Sequence, residues 1–169
     1  MYAGAQTRVN PDALIVQDFQ TKVTAYITLQ KTLAKDLPPM KPTDEPTKIV
    51  DHQHQLANKI REARRGASQG AIFTPDIARE FHRLLGFAHQ GEDDARIKKS
   101  LERAEPVYMT LHVNDAYPPH IPLQSTPPTI LANLPRLPPE LEYRIVGKTL
   151  ILRDTAANIV VDLIPNALP

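Results

Sequence analysis

Residues 142–163 read EYRIVGKTLILRDTAANIVVDL. Three short runs rich in Ile, Val, Leu, Tyr and Thr stand out: Glu142 to Val146, Thr149 to Arg153 and Ile159 to Leu163. Turn signals separate them, and the pattern predicts three antiparallel strands. Gly147-Lys148 has glycine first, which suits a two-residue type II′ hairpin turn. Asp154 to Asn158 makes the second, longer turn. A meander this small must cover its apolar face on something else.

The cover is legible upstream. Val16, Phe19, Val23, Tyr26, Gln30, Leu33 and Leu37 recur at steps of three and four. Ile49, Gln53, Leu56, Ile60, Ala63 and Ala67 repeat the pattern after a Pro-rich break. Two such seams predict amphipathic helices folded back on each other as an antiparallel hairpin. Asn10 as cap, Pro11 in the first helical position and Asp12 in the first turn start the first helix. It is expected to run to about Asp36, where Leu37-Pro38-Pro39 ends it. Thr43 or Asp44 is the expected cap of the second helix, which runs to about Ala67 and exits through Gly66 to Gly70.

Thr74, Pro75 and Asp76 open a third helix in the same way, with Ile77, Phe81, Leu84, Leu85 and Ala88 as its apolar stripe. Asp93 or Asp94 opens a weaker fourth, carrying Ile97, Leu101 and Ala104. Nine of the 17 prolines then fall between Pro106 and Pro139, so the chain changes character near residue 105. Val107 to Val113 has strand composition. Beyond it the prolines forbid a regular helix. Interleaved Tyr117, Ile121, Leu123, Ile130, Leu131, Leu134 and Leu137 predict an ordered strap with a short turn at Pro128 to Asn133. The expected fold is α+β: a helical region over 1–105, a Pro-rich strap over 106–139 and a β meander over 140–169 packed on the helices. Together these make one domain.

Composition narrows the function classes. The chain has 169 residues and a net charge of +1, so nothing electrostatic recommends nucleic acid or an anionic membrane as a partner. There is no cysteine, which excludes disulfides, thiol catalysis and thiolate zinc sites. No run approaches the ~20 apolar residues of a spanning helix. Residues 1–6 lack the basic and apolar regions of a signal peptide. The small residues before Gln6 suit the remnant of a cleaved one.

Chemistry-bearing residues are few. His82 and His89 share a helix face but lie ~10 Å apart along the axis, too far to hold one ion directly. His52 and His54 diverge. His112, Asp115 and His120 fall in one irregular segment and are the candidate metal ligands. Asp154 and Asp162 read as turn and strand-end residues. Lys59, Arg61, Arg64 and Arg65 suit the negative end of the second helix. Neither a catalytic constellation nor a cofactor is implied.

Two stretches carry a resemblance. Residues 69–77, QGAIFTPDI, and 134–164, beginning LPRLPPELEYRIVG, resemble an uncharacterised family of exported proteins from soil bacteria. That family brings no assigned activity. From Tyr143 to Asp162 the chain is also similar to the C-terminal module of RcnB-type periplasmic proteins, which are linked to nickel and cobalt homeostasis. Both likenesses imply a periplasmic or secreted location. The expected function is therefore non-enzymatic binding or assembly, with a homodimer or protein partner engaged through the helical seams. Gln30 would set the register of a seam shared between chains. A metal-responsive (Ni, Co or Zn) periplasmic binding protein is the alternative, and a hydrolase using Asp/His pairs comes third.

Overall fold

The computed structural model describes residues 10–88, 95, 99, 109–118 and 132–168. Three helices, α1 (Pro11–Lys35), α2 (Pro46–Ala63) and α3 (Pro75–Ala88), precede three strands, β1 (Leu141–Val146), β2 (Thr149–Asp154) and β3 (Ile159–Ile164). The strands form one antiparallel sheet in the order β1-β2-β3. This is the expected α+β fold with a C-terminal meander. Of the two residues in the β1–β2 turn, Gly147 alone has positive φ, at 60°, as a type II′ turn requires.

α1 starts as its sequence dictates, with the Asn10 side chain accepting the Asp12 N–H at 3.1 Å. Seam one is buried along its middle, at Phe19, Val23, Tyr26 and Gln30. The helices and the inner face of the sheet enclose the main core. At its centre Phe19 packs edge-on to Phe81 at 4.9 Å, Phe73 joins Phe81 at 5.1 Å, and Phe81 meets Tyr143 of β1 at 5.9 Å. A smaller cluster of Tyr117, Val146, Ile151, Val160 and Leu163 lies on the other face, partly covered by Leu111. β3 is therefore buried along its whole length.

The outer edge of β3 is closed by other backbone and side chains, which removes a template for strand pairing. Asn114 N–H donates to Val160 O at 2.8 Å, Val160 N–H to Asp115 O at 2.9 Å and Tyr117 N–H to Asn158 O at 2.9 Å. Arg64 reaches Val161 O at 2.9 Å, and Leu163 N–H is taken by the Asp162 carboxylate at 2.9 Å.

Several expectations need correction. α2 ends at Ala63, with Arg64 as its C-cap, where the Asn114 side chain donates to Arg64 O at 3.0 Å. Its N-cap is Glu45, without a side-chain cap bond; Thr43 instead accepts the Glu45 N–H. Residues 109–113 form no strand. The chain turns at His112 to Asp115, with Asn114 at φ 70°, and pairs with β3 only locally, around the bridge from Ala116 to Ile159. The fourth helix lies outside the described residues except for Ala95 and Lys99, both helical. Residues 106–108 and 119–131 of the strap also lie outside them. Its last part is described: Ala132 and Asn133 are helical, Leu134 is buried, and Pro135 O accepts the Tyr143 hydroxyl at 2.9 Å.

Seam two departs most. Leu56 and Ile60 are buried, joined by Ala57, but Ile49 is 44 % exposed and Ala63 is exposed. The cause is an offset between the helices. Lys59 of α2 lies 3.9 Å from Asp36 at the end of α1, and the Arg64 guanidinium sits over the Tyr26 ring at 5.2 Å. The helices run antiparallel, as expected. The residues of α2 ahead of Leu56 nevertheless overhang the end of α1, by about 15 Å at 1.5 Å per residue.

Candidate functional site

Two aspartates face the helices from the sheet, and both are fully buried. Asp154 ends β2. One of its oxygens accepts the Tyr26 hydroxyl at 2.7 Å and the Gln30 amide at 3.0 Å, both from α1. The other accepts Ala156 and Ala157 N–H at 2.8 Å each. Asp162 lies within β3, where it accepts Gly70, Ile72 and Phe73 N–H at 3.0, 2.7 and 2.8 Å from the loop between α2 and α3. With Leu163 N–H, that makes four bonds to each carboxylate, close to the full capacity of its lone pairs. Neither has an ion-pair partner among the described residues. Arg64 lies between these groups, bonded to Asn114 Oδ1 at 3.0 Å and to Val161 O. Burial pulls its guanidinium below the usual value, with Tyr26 and Asp162 acting in the opposite sense. Burial, then the charge and hydrogen bond of Asp154, push the Tyr26 phenol far up. Each of these side chains makes at least one bond to a distant part of the fold, so the network acts as a set of internal bolts.

Sequence reasoning assigned these residues less. Asp154 does cap its turn, as expected, but it also ties α1 to the sheet. Asp162 is no strand-end residue. Gln30 bonds within its own chain, so it does not serve as an interchain register. The signal for Asp162 was present: it is the one charged residue in the run Ile159 to Ile164. In a strand buried on both faces a carboxylate must find several donors.

The outer face of the sheet is different. A groove of about 350 Å³ runs over Val146, Ile151 and Leu163, with Thr149 and His112 among its walls. Asp115 holds His112 from one side: its Oδ2 accepts the His112 backbone N–H at 2.7 Å and lies 3.2 Å from Nδ1. Two of the three candidate metal ligands are thus brought together, while His120 lies outside the described residues. Among the described residues no group of three or more His, Asp or Glu side chains is placed to share an ion. Asp162 is committed to the opposite side of the sheet and does not join His112. His82 is exposed on α3, and His89 lies outside the described residues.

The third feature is the tip of the hairpin. Met40, Ile49 and Val50 are each close to half exposed, and an open groove of about 620 Å³ lies between the proline-rich connector and α2. No described helix is long and apolar enough to cross a membrane. Comparison with protein-family models, curated proteins and solved structures finds no match for this chain.

Proposed function

We propose that this is an exported protein of the cell envelope, periplasmic or secreted, that acts by binding or assembly through its helical hairpin, without catalysis. The overhang of α2 carries the reading. Ile49 and Val50 continue the stripe of Leu56, Ala57 and Ile60, yet each remains 44 % exposed. A stripe that outruns its own core leaves apolar surface for a second chain. Fully burying an Ile or Val is worth ~1.5–3 kcal/mol relative to exposure, so each residue has about 1 kcal/mol left to gain. Two such residues on each of two chains give about 4 kcal/mol, which only matches the lower end of the association cost, ~4 kcal/mol, so the self-association is weak and shows at high concentration.

Light scattering across a concentration series tests it. Wild type is expected to shift toward the dimer mass at high concentration, and the double variant Ile49→Asp, Val50→Asp is expected to stay monomeric with an unchanged circular dichroism spectrum. A wild-type monomer at every concentration would overturn self-association. Affinity capture from envelope fractions that is indifferent to the double variant would overturn the hairpin reading altogether. A metal-responsive role is the second reading, favoured by the approach of His112 and Asp115.

A further inference from the structure

We propose that the groove over the outer face of the sheet binds a small, uncharged molecule with an apolar body and a hydroxyl group. Its volume, about 350 Å³, falls at the lower end of small-molecule sites, ~300–1,000 Å³. Six of the ten lining residues are apolar, including the floor of Val146, Ile151 and Leu163. These fit an aliphatic or alicyclic body. Among the described residues the polar lining is Gln69, Thr110, His112 and Thr149, none of them a carboxylate, lysine or arginine, and the nearby Asp115 carboxylate is taken up by His112. A charged ligand would bring its charge onto an apolar floor without a counter-ion, and burial of an unpaired charge is strongly disfavoured.

The hydroxyl follows from His112. Its Nδ1 lies 3.2 Å from Asp115 Oδ2, which also accepts the His112 backbone N–H. Asp115 occupies Nδ1, which leaves Nε2 as the ring nitrogen open to a ligand. A hydroxyl, which both donates and accepts, pairs with that nitrogen whichever role it takes. Thr110, Thr149 and Gln69 can accept or donate, and none of them requires a charge. This site is formed by residues distinct from the hairpin tip and stands whether or not the chain dimerises.

The test uses the full chain, labelled with ¹⁵N, in a buffer containing EDTA so that metal binding by His112 is excluded. The probes are 1-octanol, octanoate and octylammonium. Octanol is expected to shift the amides of His112, Val146, Thr149, Ile151 and Leu163 saturably, with the two ions binding at least about tenfold more weakly. Thr110→Trp, which fills the groove from an exposed rim position, is expected to abolish the response. Gln69→Trp serves if that variant fails to fold. His112→Ala is expected to weaken octanol about five-fold, the size of one net hydrogen bond, and to leave the fold intact. Scattered or non-saturating shifts, equal response to the three probes, or unchanged octanol binding in a folded groove-filling variant would each overturn the proposal.

Discussion

Replacing Asp162 with alanine removes the acceptor for three backbone N–H groups of the loop between α2 and α3, those of Gly70, Ile72 and Phe73. The bonds to Ile72 and Phe73 are buried, whereas the one to Gly70 is only partly so. Water can therefore replace the carboxylate at Gly70 but has poor access to the other two. The buried Leu163 N–H loses its acceptor as well. Each buried N–H left unsatisfied costs ~1–3 kcal/mol, and three of them, less the desolvation penalty relieved when the carboxylate is removed, give a loss of roughly 3–6 kcal/mol. Native domains are stable by only ~5–15 kcal/mol, so the change is a large fraction of the whole. With a urea m-value near 2 kcal/mol/M, the unfolding midpoint is expected to fall by about 1.5–3 M. Asp162→Asn keeps one acceptor oxygen but turns an N–H₂ toward the loop, and is expected to lose an intermediate amount. Amide exchange at Ile72 and Phe73 is expected to accelerate well before global unfolding. A loss below about 1 kcal/mol at unchanged m would refute the reasoning. It would mean that desolvating the carboxylate cancels what its bonds provide.

Two further outcomes are expected. Burial pushes the Glu142 carboxyl up, but hydrogen bonds and charge from Arg144 and Arg153 outweigh it and hold the group below the usual range. Its contribution is thus complete above the unfolded value of about 4.3 and is lost as pH falls through the folded one; Glu142→Gln is expected to flatten that part of the acid-denaturation curve, and an unchanged curve would count against the Glu142 pairings. Calorimetry with Ni²⁺, Co²⁺, Zn²⁺ and Cu²⁺ is expected to show only weak binding by surface imidazoles, whereas a tight site lost in His112→Ala or His120→Ala would favour the metal-responsive role instead.

The strands were legible to within a residue, since alternating β-rich runs bounded by Gly147 and by the Asp154 to Asn158 turn leave few other readings. The starts of α1 and α3 were equally plain, because Asn10-Pro11-Asp12 and Thr74-Pro75-Asp76 combine a cap, a first-position proline and an acidic first turn. The fate of α2 was not. Periodicity identifies which face of a helix is apolar, not what stands opposite it, so the stripe from Ile49 to Ile60 looked uniform although the connector carries its first half past the end of α1. Residues 109–113 have strand composition but not strand structure, since the Asn114 turn and its bonds to β3 take precedence over local preference. The pairing of His112 with Asp115 followed from their nearness in sequence, while the groove beside them depends on Gln69 and Pro165, far away in the chain.

Apolar contact is non-directional, and a three-stranded sheet facing three helices admits several nearby packings of similar buried area. The two aspartates reduce that choice. Asp154 satisfies its acceptors only when Tyr26 and Gln30 of α1 stand over the end of β2, and Asp162 only when the loop before α3 closes on β3. Arg64 adds a third condition by requiring the end of α2, Asn114 and Val161 to meet. One packing satisfies all three, and any slip leaves a buried charge without donors. Holding the inner face in this way leaves the outer groove and the overhanging half of α2 outside the bolted region. These are the two places where surface chemistry can change without disturbing the arrangement that defines the fold.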